Sequence, residues 1–103
     1  DSLGWAYYQL GQYDDSVREM ERAISLKPED PVLNDHLGDA YWRVGRKLEA
    51  TFQWTHARDM NPDPELLAAV REKLLKGLPS LPGKATAQET PSTKPAPAPA
   101  PKG

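Results

Sequence analysis

The chain of 103 residues contains no cysteine. That excludes a disulfide framework, a thiolate metal site and a cysteine nucleophile. Histidine occurs only as His36 and His56, at unrelated positions. No apolar run approaches the ~20 residues that a membrane-spanning helix needs. No His-Glu-x-x-His pair, nucleophile elbow or phosphate-binding loop is present. The formal net charge is −2, so there is no basic footprint for nucleic acid. These absences point away from catalysis, and no cofactor, metal or catalytic residue is assigned. They do not identify the compartment.

What is present is unevenly distributed. Residues 1–78 hold 10 Lys+Arg against 14 Asp+Glu. Residues 79–103 hold Lys84, Lys94 and Lys102 against Glu89 alone, and 7 of the 11 prolines. Composition therefore breaks at Leu78. The Pro-Ala alternation from Pro95 to Pro101 removes backbone donors and favours an extended, disordered tail. The bland reading, a solvated terminus, is preferred there to a functional one.

The first 62 residues repeat themselves. A shift of 34 superimposes Leu3 on Leu37, Gly4 on Gly38, Ala6 on Ala40 and Tyr7 on Tyr41. It also superimposes Gly11 on Gly45, Ala23 on Ala57 and Pro28 on Pro62. A fixed period of this size signals stacked supersecondary units. Each unit reads as two helices. Asp30 is expected to cap the third helix, with Pro31 in its first turn, where a missing N–H costs nothing. Leu33, Leu37, Ala40, Tyr41 and Val44 then recur at helical spacing, and Gly45 supplies the positive φ that ends the helix. The following helix is expected from about Lys47 to Met60, with Ala50, Trp54, Ala57 and Met60 on one stripe. In the first unit Leu3, Ala6, Tyr7 and Leu10 line one helix. Val17, Met20, Ala23, Ile24 and Leu26 belong to its partner.

Gly4 and Gly38 stand inside helices, where each costs about 1 kcal/mol relative to Ala. The expected gain is close approach of the partner helix, with Ala23 and Ala57 as the matching small residues. Tyr7, Met20, Tyr41 and Trp54 would fill the space beside the contact. Residues 64–78 read as one more amphipathic helix, capped by Asp63, with Leu67, Val70, Leu74 and Leu78 inward. Arg71 and Glu72 would face outward, and Lys73 and Lys76 would favour the helix C-terminus.

These residues resemble the tetratricopeptide repeat, whose pattern runs Trp-x2-Leu-Gly-x2-Tyr, then Ala-x3-Phe, Ala and a closing Pro. The second unit offers Leu37-Gly38, Tyr41, Ala50, Trp54, Ala57 and Pro62, with Asn34 in place of the leading Trp. The first offers Leu3-Gly4, Tyr7, Ala23 and Pro28, with Ser16 for Ala and Met20 for Phe. The resemblance implies an all-α, right-handed helical-repeat solenoid. It comprises a truncated repeat (1–30), a repeat (31–63), a capping helix (64–78) and the tail (79–103). The wording is similar to the C-terminal repeats of bacterial, alphaproteobacterial, proteins of this family.

In this family the first helix of each repeat lines a concave, peptide-holding groove. The matching positions here are Asp1, Trp5, Tyr8 and Gln9, then Asp35, Asp39, Trp42 and Arg43. Aromatic and Arg side chains are the usual interface anchors. A non-catalytic scaffold or adaptor that binds a partner peptide or helix is therefore expected. The Lys/Asn clamp that holds a terminal carboxylate in some members is replaced by Asp1, Trp5, Asp35 and Asp39, so a basic or aromatic partner segment is favoured. Asp35, His36 and Asp39 are close enough to consider as loose cation ligands; a solvated acidic face is the preferred reading. The competing function is a structural cap for a longer solenoid whose binding or enzymatic site lies upstream. In that case Trp5 and Trp42 pack against neighbouring helices. Because arrays usually need three or more units to bury a continuous core, self-association through the open edge near Leu3 and Tyr7 is also expected.

Overall fold

The computed structural model describes residues 2–80. Five helices follow in order: α1 (Ser2–Gln9), α2 (Tyr13–Leu26), α3 (Pro31–Arg43), α4 (Lys47–Asp59) and α5 (Pro64–Lys76). There is no strand among the described residues. Each helix packs on the next, α1 on α2, α2 on α3, α3 on α4 and α4 on α5. This is an all-α helical repeat. Asp1 and residues 81–103, which hold one expected groove residue and nearly all of the tail, lie outside the described residues.

The local signals act as their chemistry requires. The Asp30 side chain accepts from the backbone N–H of Val32 and Leu33, and Asp63 accepts from Leu66. Each satisfies donors that the first helical turn leaves unpaired. At the other ends, α1 and α3 stop by the same device, 34 residues apart. Gly11 has φ 80° and Gly45 has φ 90°. The N–H of Gln12 donates to the carbonyl of Tyr7 at 2.9 Å, and the N–H of Arg46 donates to that of Tyr41 at 2.9 Å. This six-to-one bond around a left-handed residue closes a helix end. A Cβ at Gly45 would meet nothing within 4 Å, so the backbone angle, and not space, is what calls for glycine there.

The interior is built from the repeated positions. Met20, Leu33, Leu37, Ala40, Ala50, Trp54, Ala57 and Val70 are fully or almost fully buried, with Val17 and Tyr41 close behind. Gly4 and Gly38 do mark close approaches. A Cβ at Gly38 would lie 2.5 Å from Trp54 Cδ1 and 3.1 Å from the Ala50 carbonyl oxygen. One at Gly4 would lie 2.6 Å from Met20 Cγ, and Ser16 Oγ donates to the Gly4 carbonyl at 2.8 Å. The small residues opposite the glycines are therefore Ser16 and Ala50. This corrects the expectation of Ala23 and Ala57, because the helices cross two turns earlier on the partner.

Four expected core positions are also corrected, one of them Ala6, which is exposed. Leu3, Leu10 and Leu26 are 55%, 68% and 82% exposed. Leu37, the register partner of Leu3, is 1% exposed because α3 packs on α2. No described helix precedes α1 to play that part. Asn34, at the position where the repeat pattern has Trp, is buried and polar. Its amide donates to the carbonyls of Asp30 and Pro28 at 2.8 and 3.2 Å, and its oxygen accepts from Gln53 at 2.9 Å. A hydrogen-bonded brace thus joins the turn before α3 to α4, where the family pattern would place apolar packing.

Candidate functional site

Apart from Asp1, which lies outside the described residues, the residues expected to face the groove sit on α1 and α3, and the structure divides them into two groups. The first is an aromatic stack. The Trp5 ring lies 4.6 Å from Tyr8 with 7° between planes, and 3.9 Å from His36 with 16° between planes. Tyr13 meets Tyr8 edge-on at 5.2 Å. Stacked and edge-on contacts of this kind hold rings in fixed orientation. Trp5, Tyr8 and His36 remain half-buried, and Gln9 is exposed beside them. Burial raises the Tyr8 hydroxyl above the usual tyrosine range, against the lowering effect of Arg43. Burial also lowers the His36 imidazole, although Asp35 and Asp39 pull the other way. At the edge of the stack Arg43 Nε donates to Tyr8 Oη at 3.3 Å.

The second group is covered by the C-terminal segment. Asp35 and Asp39 are 4% and 5% exposed, which corrects the expectation of a solvated acidic face. Lys73 of α5 reaches between them. Its Nζ donates to Asp35 Oδ1 at 2.8 Å and lies 3.0 Å from Asp39 Oδ1 and 3.2 Å from Asp39 Oδ2. The Trp54 indole N–H also donates to Asp39 Oδ1, at 3.1 Å, and to the Asp35 carbonyl at 3.2 Å. Burial, and then the neighbouring Asp35, raise the Asp39 carboxyl above the ordinary range, partly offset by Lys73. Burial works against the Lys73 ammonium, but the two carboxylates outweigh it and its pKa rises. The ammonium occupies the space in which Asp35, His36 and Asp39 were weighed as cation ligands. Among the described residues no group of three or more His, Asp or Glu is arranged to hold a metal ion.

Trp42 and Arg43 complete this covered half. Gly77 has φ 72° and lies so close to Trp42 that a Cβ would collide with its indole. Lys47 Nζ stands 4.7 Å over the same ring, a cation–π contact. Arg43 Nη1 donates to the Pro79 carbonyl at 2.8 Å. Lys73, Gly77 and Pro79 thus lie in sequence across Asp35, Asp39, Trp42 and Arg43.

His36, Tyr13, Lys73 and Gly77 were not among the expected groove residues. For Lys73 a signal existed. It follows Asp39 by 34 residues, as Asp39 follows Trp5, so all three occupy one column of the repeat. The missing Leu-Gly pair in α5 hid that register. No such signal exists for Tyr13, which sits outside the groove positions of the pattern.

The fold and its 34-residue device thus define an all-α repeat of paired helices. Residues 4–45 match the family model described as TPR repeat. The match runs from the close-approach glycine of α1 to the terminating glycine of α3 and supports the tetratricopeptide resemblance over that segment. No curated protein and no solved structure matches the chain. No described helix is long and apolar enough to cross a membrane.

Proposed function

We propose that the chain is a non-catalytic protein–protein interaction module of a bacterial repeat protein. It binds a partner peptide or helix along the face shared by α1 and α3. The observation that carries this reading is the half-buried stack of Trp5, Tyr8 and His36 beside the exposed Gln9. Ordered aromatics left partly open to solvent, flanked by Arg43, have the composition of interface anchors. Asp35 and Asp39 add a preference for cationic groups, which Lys73 illustrates within the chain itself. The partner chemistry that follows is a basic or aromatic segment.

The test is capture of a partner from lysate by the wild-type chain and by a Trp5→Ala/Tyr8→Ala variant that circular dichroism shows to be helical. A partner held by the first and lost by the second supports the reading. Equal retention by both overturns it. A second reading, that these helices serve as a structural cap for a longer solenoid, is favoured by one observation: Trp42 and Arg43 are engaged by Gly77 and Pro79. Under that reading Trp42→Ala lowers stability and no substitution on this face changes binding.

A further inference from the structure

Resting on the groove reading above, we infer that the C-terminal segment from α5 to Pro79 is a displaceable resident of the α3 half of the groove. The partner that displaces it is an amphipathic helix carrying a lysine, which replaces Lys73 between Asp35 and Asp39.

The ionic contact is an unusual way to fasten a cap. Asp35 and Asp39 are 6% and 7% exposed at their side chains and Lys73 is 19% exposed. Two buried carboxylates face one ammonium, so the cluster keeps an excess of negative charge. Apolar side chains of similar size would hold such a helix as well or better, since desolvation offsets much of the attraction in a buried pair. What a buried charge pair supplies well is selectivity for the right occupant. The rest of the α5 contact is slender. Val70 is its one fully buried residue, Leu75 is 84% exposed, and Leu66, Leu74 and Leu78 are partly covered. Segments with few buried apolar contacts open at lower free energy than the core. The groove positions under α5 are also the ones expected to meet a ligand: Asp35, Asp39, Trp42 and Arg43. Lysine to the carboxylates, glycine under Trp42 and a carbonyl to Arg43 form a readable pattern, Lys-x3-Gly-x-Pro, that a partner segment could reproduce.

The probe is a fluorescent peptide with the sequence of residues 64–80, titrated by anisotropy into the full chain. In the wild type the tethered helix competes at an effective concentration on the order of millimolar, so the peptide binds weakly. In a Lys73→Met chain the tethered helix loses its ammonium while Asp35 and Asp39 remain. The peptide is expected to bind that chain at least about tenfold more tightly, a difference of about 1.4 kcal/mol. A peptide carrying Lys73→Met, with Lys76 kept, is expected to show no such gain. Equal affinity of the lysine peptide for both chains, or equal binding of both peptides to the Lys73→Met chain, overturns the inference. Hydrogen exchange on the unaltered chain supplies a second test, valid even where the variant fails to fold. Amides of α5 are expected to exchange through openings that leave α3 and α4 protected. Exchange of α5 only together with α3 overturns the inference. Loss of a captured partner by Trp5→Ala/Tyr8→Ala, with any of the overturning results here, leaves the groove reading standing and removes the displaceable helix alone.

Discussion

Gly38→Ala and Gly4→Ala are the same chemical change at register-equivalent sites, yet they are expected to differ. Each gains about 1 kcal/mol of helix propensity. At Gly38 the new Cβ would sit 2.5 Å from both Cδ1 and Nε1 of Trp54. That indole is fully buried, and its N–H is held by the Asp35 carbonyl and Asp39 Oδ1. The ring cannot retreat without weakening those bonds, and the Ala50 carbonyl at 3.1 Å closes the other side. Overpacking costs roughly 1–3 kcal/mol, and each weakened hydrogen bond costs about 1 kcal/mol. The net is a destabilisation of about 2–3 kcal/mol after the propensity gain. At Gly4 the nearest atom is Cγ of the buried Met20, at 2.6 Å; that chain is unbranched and carries no charged partner, and α1, whose Leu3 and Leu10 are exposed, can move outward with it. The two effects there nearly cancel, within about 1 kcal/mol. At about 4–8 °C per kcal/mol for a domain of this size, thermal melting should place Gly38→Ala about 10–20 °C below the wild type. Gly4→Ala should fall within a few degrees of it. Equal melting temperatures for the two variants, or a larger loss at Gly4, would refute the reasoning.

Other expectations follow from the same contacts. Lys73→Met should destabilise the chain by about 2–4 kcal/mol, because it leaves two buried carboxylates without a counter-charge. Adding Asp35→Asn and Asp39→Asn should recover most of that loss in urea melts. Burial, together with the hydrogen bond that Tyr41 donates to Glu21, pushes the Tyr41 hydroxyl up to about 12. The folded chain keeps that proton at pH values where the unfolded chain releases it, so the contribution of Tyr41 is intact below pH 10.0 and is lost as pH rises towards 12. Tyr41→Phe should flatten the stability curve in that window. In hydrogen exchange, amides of α1 should protect less well than those of Leu37–Val44, since Leu3 and Leu10 are exposed while Leu37 is buried.

Much of the fold was legible because its punctuation is chemical. Asp30 and Asp63 cap because they are acceptors ahead of a proline, and Gly11 and Gly45 end helices because they tolerate positive φ. The 34-residue register also located the close approaches at Gly4 and Gly38. It did not identify what lies opposite them. Helix periodicity states which side chains share a face, whereas the crossing point that selects Ser16 and Ala50 depends on how the helices are inclined. For the same reason Leu3, Leu10 and Leu26 read as core. An apolar stripe declares a face without declaring a neighbour to cover it. At the candidate site, Trp5, Tyr8 and Gln9 could be named from their place in the repeat. The burial of Asp35 and Asp39 could not, because it depends on Lys73 arriving from a helix whose sequence has lost the repeat signature.

In the proposed function the face of α1 and α3 holds a protein partner. Site-specific photocrosslinking tests it most directly, with benzoylphenylalanine placed at Gln9, exposed beside the aromatic stack, and in a control at Arg58, exposed on α4. A discrete partner adduct is expected from the Gln9 position and none from Arg58. No adduct at Gln9, or the same adducts from both positions, would contradict it.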